Sequence, residues 1–272
     1  MIKIENVSVV GWRGTLRGMR NPMNSWDRSD SGTCGDFPSC GPDCPKWSPD
    51  HYCGYSEHLE NDPHDYFMIG PKDLELMQRL VKAGTEHAKF RRMIIVYCDI
   101  TAPLYWWKEF DTYKVGTVAN SCSTMHKIAE KEFVLDDFSH EHLISFLDID
   151  DIYEDTDIEE PAVVKMEAGI YPFHIEGSTM PAYAKDWLKE TCKILNAARN
   201  RYLETKDKKY WWQLIQLLPT SYNQKRTVMM NYEVLSNIYR QRKNHKLDEW
   251  HAFCDWIETL PYAEEILCGK ES

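Results

Sequence analysis

The sequence lacks several features that would each point to a class of protein. No apolar run approaches the length of a membrane-spanning helix. The first residues, MIKIENVSVVGWRG, have neither the basic start nor the apolar stretch of a secretion signal. No GxGxxG or P-loop glycine run occurs, so neither a Rossmann nor a P-loop nucleotide site is supported. We therefore expect a cytoplasmic protein without a membrane partner.

Positive charge is also scarce. Lys and Arg number 32 against 43 Asp and Glu, which gives a formal net charge of −11 at pH 7. Because such a chain repels the phosphate backbone of nucleic acids, we expect no nucleic-acid partner. A small phosphate ligand can still bind in a locally basic pocket. The composition, 43% hydrophobic, is sufficient for a large core.

Paired C-x-x-C knuckles are missing, although the chain has nine cysteines. Four of them cluster in residues 34–53, CGDFPSCGPDCPKWSPDHYC. Without a secretion signal, free thiols or a metal site are favoured over disulfides. One alternative is a tetrahedral zinc site, and the other, simpler one is a Gly- and Pro-rich surface insertion with reduced thiols. The candidate zinc ligands are Cys34, Cys40, Cys44, His51 and Cys53.

Hydrophobic periodicity in the first half of the chain predicts strands and helices in alternation. Residues 2–10 alternate like a strand, whereas residues 11–70 are rich in turn-forming residues and predict a loop. GPKDLELMQRLVKAGTEH, residues 70–87, predicts an amphipathic helix. FRRMIIVYCDITAP, residues 90–103, predicts a buried strand, and the aromatic-rich residues 104–114 predict a helix that places Trp106 and Trp107 in the core.

The second half of the chain predicts mainly helices. A helix is expected to begin in LDDFSHEHL, and the acidic run at residues 147–161 predicts a solvated loop. A long helix is predicted over residues 180–218, with Pro219 as its break. Residues 223–244 and 247–267 predict two more helices.

Two blocks of the sequence resemble the signature regions of the flavin-dependent thymidylate synthases, the ThyX family. The first is APLYWWKEFDTYKVGTVANSCSTMHKI, and the second is LLPTSYNQKRTVMMNYEVLSNIYRQR. The preceding helix, LMQRLVKAGTEHAKF, is similar to the family's helix that leads to a flavin-contacting histidine. The resemblance covers residues 70–130 and 210–262, and the chain is also similar to divergent members of the family encoded by bacteriophages and prophages.

The first block departs from the family's charged motif. Aligned without gaps, the family's Arg-His-Arg falls on Thr112, Tyr113 and Lys114, and its first motif serine falls on Thr117. The remainder of that motif, Asn-Glu-x-Ser-x-Arg, falls on Ala119, Asn120, Cys122 and Thr124. A shift by one residue places Asn on Asn120 and Ser on Ser123, but neither register restores the final arginine.

The second block keeps more of the family's pattern. Asn231, Asn237 and Arg242 match, whereas the nucleotide-binding arginine falls on Glu233. The resemblance implies the flavin-binding residues His87, Tyr113, Lys114, Thr117, Asn231 and Asn237. It implies the substrate-binding residues Asn120, Cys122, Ser123, Lys225, Arg226, Glu233 and Arg242.

Three of these residues carry specific expectations. Lys225 and Arg226 follow a Leu-Pro turn and would form a phosphate site at a helix N-terminus. Glu233 repels phosphate but can accept a hydrogen bond from the amino group of cytosine, which extends the expected substrates from dUMP to dCMP. The alternative is that Glu233 turns outward or pairs with Lys225 or Arg226.

The resemblance implies a fold and an activity for the whole chain. The expected fold is α/β, a single domain over residues 1–272 in which a central mixed sheet is flanked by helices, with residues 34–53 as an insertion. The expected activity transfers a one-carbon unit from methylenetetrahydrofolate to a deoxypyrimidine monophosphate, with FAD and NADPH, in a homotetramer. No protein nucleophile is needed, because the protein positions the reactants and stabilises charge. The alternative is a member that binds a nucleotide or a protein but has lost flavin chemistry.

Overall fold

The computed structural model describes residues 2–33, 67–143 and 184–269. The chain divides into two compact units, residues 1–123 with 223–272 (the sheet unit) and residues 124–222 (the helical unit). The candidate zinc ligands at 34–53 and the acidic segment 147–161 lie outside the described residues. The single domain over 1–272 stays a prediction.

Four strands form the main sheet of the sheet unit, in the order β1-β4-β6-β5 and with every pairing antiparallel. A short antiparallel pair, β2 with β3, lies apart from it. The strands in chain order are β1 (Lys3–Val10), β2 (Gly32–Thr33), β3 (Phe67–Met68), β4 (Ile95–Pro103), β5 (Thr117–Ser121) and β6 (Asn223–Asn231).

Helices make up most of the remaining described structure. The sheet unit contains α1 (Trp12–Arg20), α2 (Pro71–Lys82), α3 (Leu104–Phe110), α7 (Tyr232–Arg242), α8 (Asp248–Glu258) and α9 (Ala263–Ile266). The helical unit contains α4 (Thr124–Lys127), α5 (Ala184–Thr205) and α6 (Lys208–Gln216). No helix in these described ranges is long and apolar enough to cross a membrane.

The core of the sheet unit lies on one face of β4 and β6. Val96 and Ile100 of β4 and Val228 of β6 are fully buried, because alternate residues of each strand point to the same side. Trp106 and Trp107 on α3 are also fully buried, as predicted. Burial of side chains this large supplies much of the driving force that holds α3 against the sheet.

The helical unit has a separate small core. Leu195 of α5 and Leu214 of α6 are fully buried in it. Asn196 fixes the loop at Phe133, because its side chain accepts a hydrogen bond from the backbone N–H at 2.8 Å and donates one to the carbonyl at 2.9 Å. This pair of bonds satisfies both backbone groups of a nearly buried residue.

The structure confirms the α/β class and several individual elements. β1, α2, β4 and α3 lie where the periodicity predicts them, and the long helix predicted before Pro219 is present as α5 and α6. Three predictions are wrong. Residues 12–20 form a helix rather than a loop, and 223–231 form a strand rather than the start of α7. The segment LDDFSHEHL contains only the 3₁₀ turn Leu135–Asp137 instead of the start of a helix. Residues 117–121 form the strand β5.

Candidate functional site

The junction of β5, β6 and α7 gathers several residues that the resemblance assigns to flavin binding. Asn231 ends β6, and its side-chain Oδ1 accepts a hydrogen bond from the Val234 N–H at 2.9 Å, which caps α7. Gly116, just before β5, accepts from the Asn231 N–H at 3.1 Å. A Cβ at Gly116 would lie 2.4 Å from Nδ2 of Asn231, so the Asn231 side chain occupies the space that only a glycine leaves open.

Two further residues of the predicted flavin set lie on the elements that meet at this junction. The Thr117 hydroxyl is buried and has no hydrogen-bond partner among the described residues. Asn237, farther along α7, accepts a hydrogen bond from Nη2 of Arg240 at 2.5 Å. A buried hydroxyl without a partner costs free energy, so Thr117 is a donor available to a ligand.

Arg242 is held inside the sheet unit by three aromatic or acidic neighbours. Its Nη1 donates to Glu109 at 2.6 Å, and its Nε donates to the Tyr113 hydroxyl at 2.8 Å. The guanidinium also lies 4.6 Å from the ring centre of Trp250, whose indole N–H donates to the same Glu109 oxygen at 2.9 Å. Arg242 therefore links the end of α7 to α3 and α8.

The three remaining residues of the predicted flavin set have different surroundings. The Tyr113 hydroxyl contacts Arg242 and also donates to Gln241 at 3.0 Å. Its ring packs against the core of the sheet unit. Lys114 and His87 are exposed. His87 immediately precedes the 3₁₀ turn Ala88–Met93.

Lys225 and Arg226 lie in the interior of β6, not at a helix N-terminus. Because successive side chains of a strand point to opposite faces, the two cations lie on opposite sides of the sheet. Lys225 forms an ion pair with Asp99 at 3.2 Å, whereas Arg226 pairs with Asp111 at 2.7 Å and lies 4.2 Å from the ring centre of Trp107. The predicted phosphate site that combines the two at a helix start is therefore not formed.

Asp99 organises a polar cluster on the outer face of the sheet. It accepts hydrogen bonds from the Thr227 hydroxyl at 2.6 Å and from the Asn6 amide at 2.9 Å. The Thr227 and Asn6 hydrogen bonds lower the pKa of Asp99, and Lys225 lowers it further. The hydrogen bond to Asp99 in turn raises the pKa of Lys225. The cluster therefore keeps a fixed ion pair on this face at neutral pH.

Glu233 forms a two-point ion pair with Arg92, an arrangement that was not among the alternatives for this residue. Nε of Arg92 donates to one carboxylate oxygen at 2.5 Å, and Nη2 donates to the other at 2.9 Å. The hydrogen bond to Glu233 raises the pKa of Arg92. The side chain of Glu233 is 18% exposed, so the pair lies near the surface and both carboxylate oxygens are engaged.

The polar residues of the first block lie along β5 and just after it. Asn120 and Cys122 are exposed, and Ser123 is half-buried. The Cys122 N–H donates to the Lys225 carbonyl at 2.9 Å, and its carbonyl accepts from the side chain of Gln224 at 3.1 Å. The backbone of Cys122 is therefore fixed beside β6 while its thiol stays accessible.

Sequence reasoning missed two arginines beside these residues, Arg91 and Arg92, whereas Arg240 was recognised as a positive charge near the second block. Arg91 and Arg92 belong to the segment that was assigned to a buried strand, and the structure places them in the 3₁₀ turn before β4. Arg240 lies on α7 between Asn237 and Arg242. Two adjacent arginines at the entrance to an apolar strand are a signal in the sequence, because a charged pair rarely enters a core without a role.

Among the described residues, no group of three or more His, Cys, Asp or Glu side chains is placed to bind a metal ion. The zinc prediction concerns residues outside these ranges and stays a prediction.

Comparison with solved structures gives a consistent fold. A structure of thymidylate synthase X from Helicobacter pylori with FAD and dUMP matches with a TM-score of 0.55 and 13% identity over 98% of each chain. A second structure of that enzyme, complexed with FAD and dUMP, has a TM-score of 0.53 and 14% identity over 96% of this chain and 97% of the other. The UMP/dUMP methylase PolB from Streptomyces cacaoi, bound with 5-Br dUMP, has a TM-score of 0.44 at 11% identity, too low to bear on the fold.

Sequence comparison does not add to this result. No model of a protein family matches the chain, and no curated protein has a matching sequence. The likeness is therefore one of three-dimensional structure, without a match in sequence. This protein has the fold of the Helicobacter pylori flavin-dependent thymidylate synthase along nearly its whole length.

Proposed function

We propose that this protein is a flavin-dependent, thymidylate-synthase-like enzyme. It transfers a one-carbon unit from methylenetetrahydrofolate to a deoxypyrimidine monophosphate and uses FAD and NADPH. The observation that carries the proposal is the fold likeness over 98% of both chains to an enzyme whose structure contains FAD and dUMP. Membership of the bacteriophage or prophage type and a homotetrameric assembly belong to the same proposal.

The donors present in the sheet unit fit part of a flavin nucleotide. The buried Thr117 hydroxyl lacks a partner among the described residues, and Lys114 is exposed on the loop before it. Asn231 and Asn237 are held nearby by backbone and side-chain bonds. In this proposal these four residues hold the cofactor, together with Tyr113 and His87. When bound, FAD supplies the hydride for the reaction.

The substrate would bind along β5 and the start of α7. Asn120, Cys122 and Ser123 offer polar groups there, and Arg226 and Arg242 supply positive charge once their present partners rearrange. Glu233 could accept a hydrogen bond from a cytosine amino group through the lone pairs that Arg92 leaves unused. We therefore propose both dUMP and dCMP as substrates.

The first experiment is the visible absorption spectrum of the purified protein, with and without added FAD. A flavin spectrum that stays with the protein through gel filtration is the expected result. Thr117→Val should weaken FAD retention, whereas Thr112→Val, on an exposed residue that bonds only the Glu109 carbonyl among the described residues, should not. A protein that stays colourless at saturating FAD contradicts the proposal.

A substrate experiment follows if flavin binds. Oxidation of NADPH with methylenetetrahydrofolate should depend on dUMP or dCMP. Glu233→Gln should reduce turnover of dCMP relative to dUMP, because the amide no longer offers a charged acceptor to the cytosine amino group. An equal effect on the two nucleotides would rule out Glu233 as the residue that selects the base.

A nucleotide-binding protein without flavin chemistry is the second candidate. The observation that favours it is that Arg226 and Arg242 are both engaged in ion pairs with residues of their own chain. The resemblance implies that these two arginines bind the substrate instead. If the protein binds dUMP but does not bind FAD, this second candidate is correct.

A further inference from the structure

A pocket of about 770 Å³ lies in the sheet unit, between α2, the 3₁₀ turn at Ala88–Met93, α7 and the end of α9. One wall of the pocket is held in place by a hydrogen bond. The buried Ser236 hydroxyl of α7 donates to the Leu267 carbonyl at 2.9 Å and so links the end of α9 to α7. The volume is in the range of about 300–1,000 Å³ that is typical of small-molecule sites. The pocket is therefore large enough for an organic ligand and not only for an ion.

Arg91 is the unusual residue of this pocket. It is only 7% exposed, and its Nε is buried without a hydrogen-bond partner in the described part of the chain. No carboxylate of the described residues forms an ion pair with it, since the neighbouring Glu233 is bonded to Arg92 at both oxygens. A buried guanidinium without an acceptor is costly and seldom present without a reason.

The charges around Arg91 make the cost larger. Burial lowers the pKa of Arg91 to about 10, and the positive charge of Arg240 lowers it as well, whereas the negative charge of Glu233 raises it by less than Arg240 lowers it. Lys82 adds a third cation to the lining, and Glu264 and Glu265 contribute two carboxylates. Neither glutamate bonds Arg91 among the described residues, so an anion between Arg91 and Arg240 would relieve both the burial and the repulsion.

We propose that this pocket binds the phosphate group of a small ligand, held by Arg91 and Arg240. A guanidinium presents its N–H groups in a planar fork that matches two phosphate oxygens. Glu264 and Glu265 are available to accept hydrogen bonds from donor groups on the organic part of the ligand. The phosphate belongs either to a phosphate monoester or to the pyrophosphate of a dinucleotide such as FAD.

The proposal does not require the flavin chemistry proposed above. Neither Arg91 nor Arg240 is among the residues that the resemblance assigns to a ligand. The proposal of a phosphate site rests only on the pocket and on the Arg91 guanidinium, whose Nε has no partner among the described residues. A protein that binds phosphate here but refuses FAD would therefore contradict the proposed enzyme and leave the phosphate site intact.

The test is the melting temperature of the full chain with inorganic phosphate, compared with chloride at the same ionic strength. Phosphate should raise the melting temperature of the wild-type protein beyond the effect of chloride, because a ligand that binds the folded state stabilises it. Arg91→Leu should lose that increase and should itself melt no lower than the wild type without phosphate. An equal response to phosphate and chloride in the wild type, or a phosphate response that persists in Arg91→Leu, overturns the proposal.

A second variant tests the proposal independently, in case Arg91→Leu does not fold. Arg240→Gln changes an exposed residue and should weaken phosphate binding at least tenfold by calorimetric titration. The matched control is Arg79→Gln, an exposed arginine of α2 that does not line this pocket. Unchanged phosphate affinity in Arg240→Gln, or an equal loss in Arg79→Gln, also overturns the proposal.

Competition then separates the two sources of phosphate. If FAD displaces inorganic phosphate, the site holds the pyrophosphate of a dinucleotide. If dUMP displaces it and FAD does not, the site holds a monoester. Both results support a phosphate site at Arg91 and Arg240.

Discussion

Asp73, on α2, shows at the residue scale how this acidic protein tolerates a fully buried carboxylate. One oxygen accepts from Nε of Arg20 at 2.6 Å. The other accepts from the hydroxyls of Ser29 and Ser31, both at 2.6 Å, and from the Asp30 N–H at 3.2 Å. Burial alone raises the pKa of Asp73, but the bonds from Ser29, Ser31 and Arg20 lower it below its ordinary value. The group therefore stays ionised and joins α1 to α2.

The first prediction concerns the acid stability that Asp73 provides. Because its pKa is lower in the folded state, its contribution is present above the unfolded carboxyl pKa of about 3.9 and is lost as the pH falls further. Asp73→Asn should lower the free energy of unfolding at pH 7 by about 3–5 kcal/mol, since it leaves Arg20 buried without its charge partner. Urea unfolding between neutral pH and pH 3 measures both effects.

The control for this experiment is Asp27→Asn, which changes an exposed aspartate of the same unit. It should leave the free energy of unfolding and its pH dependence nearly unchanged. If Asp73→Asn keeps the acid dependence of the wild type, the assignment of that dependence to Asp73 is wrong.

The second prediction concerns the partners of Glu109. Glu109→Gln keeps an acceptor but removes the charge that Arg242 contacts, and it should cost about 1–3 kcal/mol of stability. A double-mutant cycle with Arg242→Met should give a coupling energy of about 0.5–3 kcal/mol. Additive effects would mean that Arg242 is not held by Glu109 in solution.

At the scale of elements, the switch from β6 to α7 decides where the candidate site lies. Val228 and Met230 are buried, whereas Lys225 and Thr227 on the alternate positions face the other side, which is a period of two. The helical period begins only after Asn231, the cap of α7. This change of period is present in the sequence. It was missed because the polar residues of β6 run directly into the clear helical pattern of α7.

The third prediction compares two glycines with similar backbones. Gly116 has φ +82° and packs against Asn231, whereas Gly84 has φ +100° and open space around its Cβ position. Gly84→Ala should cost about 1–2 kcal/mol from backbone strain alone. Gly116→Ala should cost a further 1–3 kcal/mol or so, because the added Cβ displaces the cap of α7.

Chemical denaturation of the two variants measures this difference. The Gly116→Ala variant should also lose hydrogen-exchange protection at the start of α7, which Gly84→Ala should retain. Equal destabilisation would show that the contact with Asn231 contributes nothing beyond the strain.

At the scale of the whole molecule, the two compact units have separate cores. Ile100 is fully buried in the core of the sheet unit, and Leu195 is fully buried in that of the helical unit. Leu195→Ala should cost about 2–5 kcal/mol and should raise amide exchange mainly in α5 and α6. Ile100→Ala should have a similar cost but raise exchange mainly in β4 and β6. Identical exchange patterns in the two variants would mean that the units unfold as one.

The sequence alone determined the elements whose periodicity is local. α2 and β4 lie where their apolar residues predict them, because a helix face or a strand face is encoded by residues a few positions apart. The fold class was implied by the two blocks that resemble the ThyX family. β6 and α1 were missed because polar residues or glycines masked a weaker pattern.

Only the tertiary structure decided what the charged residues contact. Glu233 lies 141 positions from Arg92, and Arg226 lies 115 positions from Asp111, so no local pattern could pair them. The register of β4 with β6 placed Lys225 beside Asp99 and sent Arg226 to the other face. Arg91 was left without a partner among the described residues by the same packing. Local periodicity fixes where an element forms, whereas the partners of a charge depend on which distant elements the fold brings together.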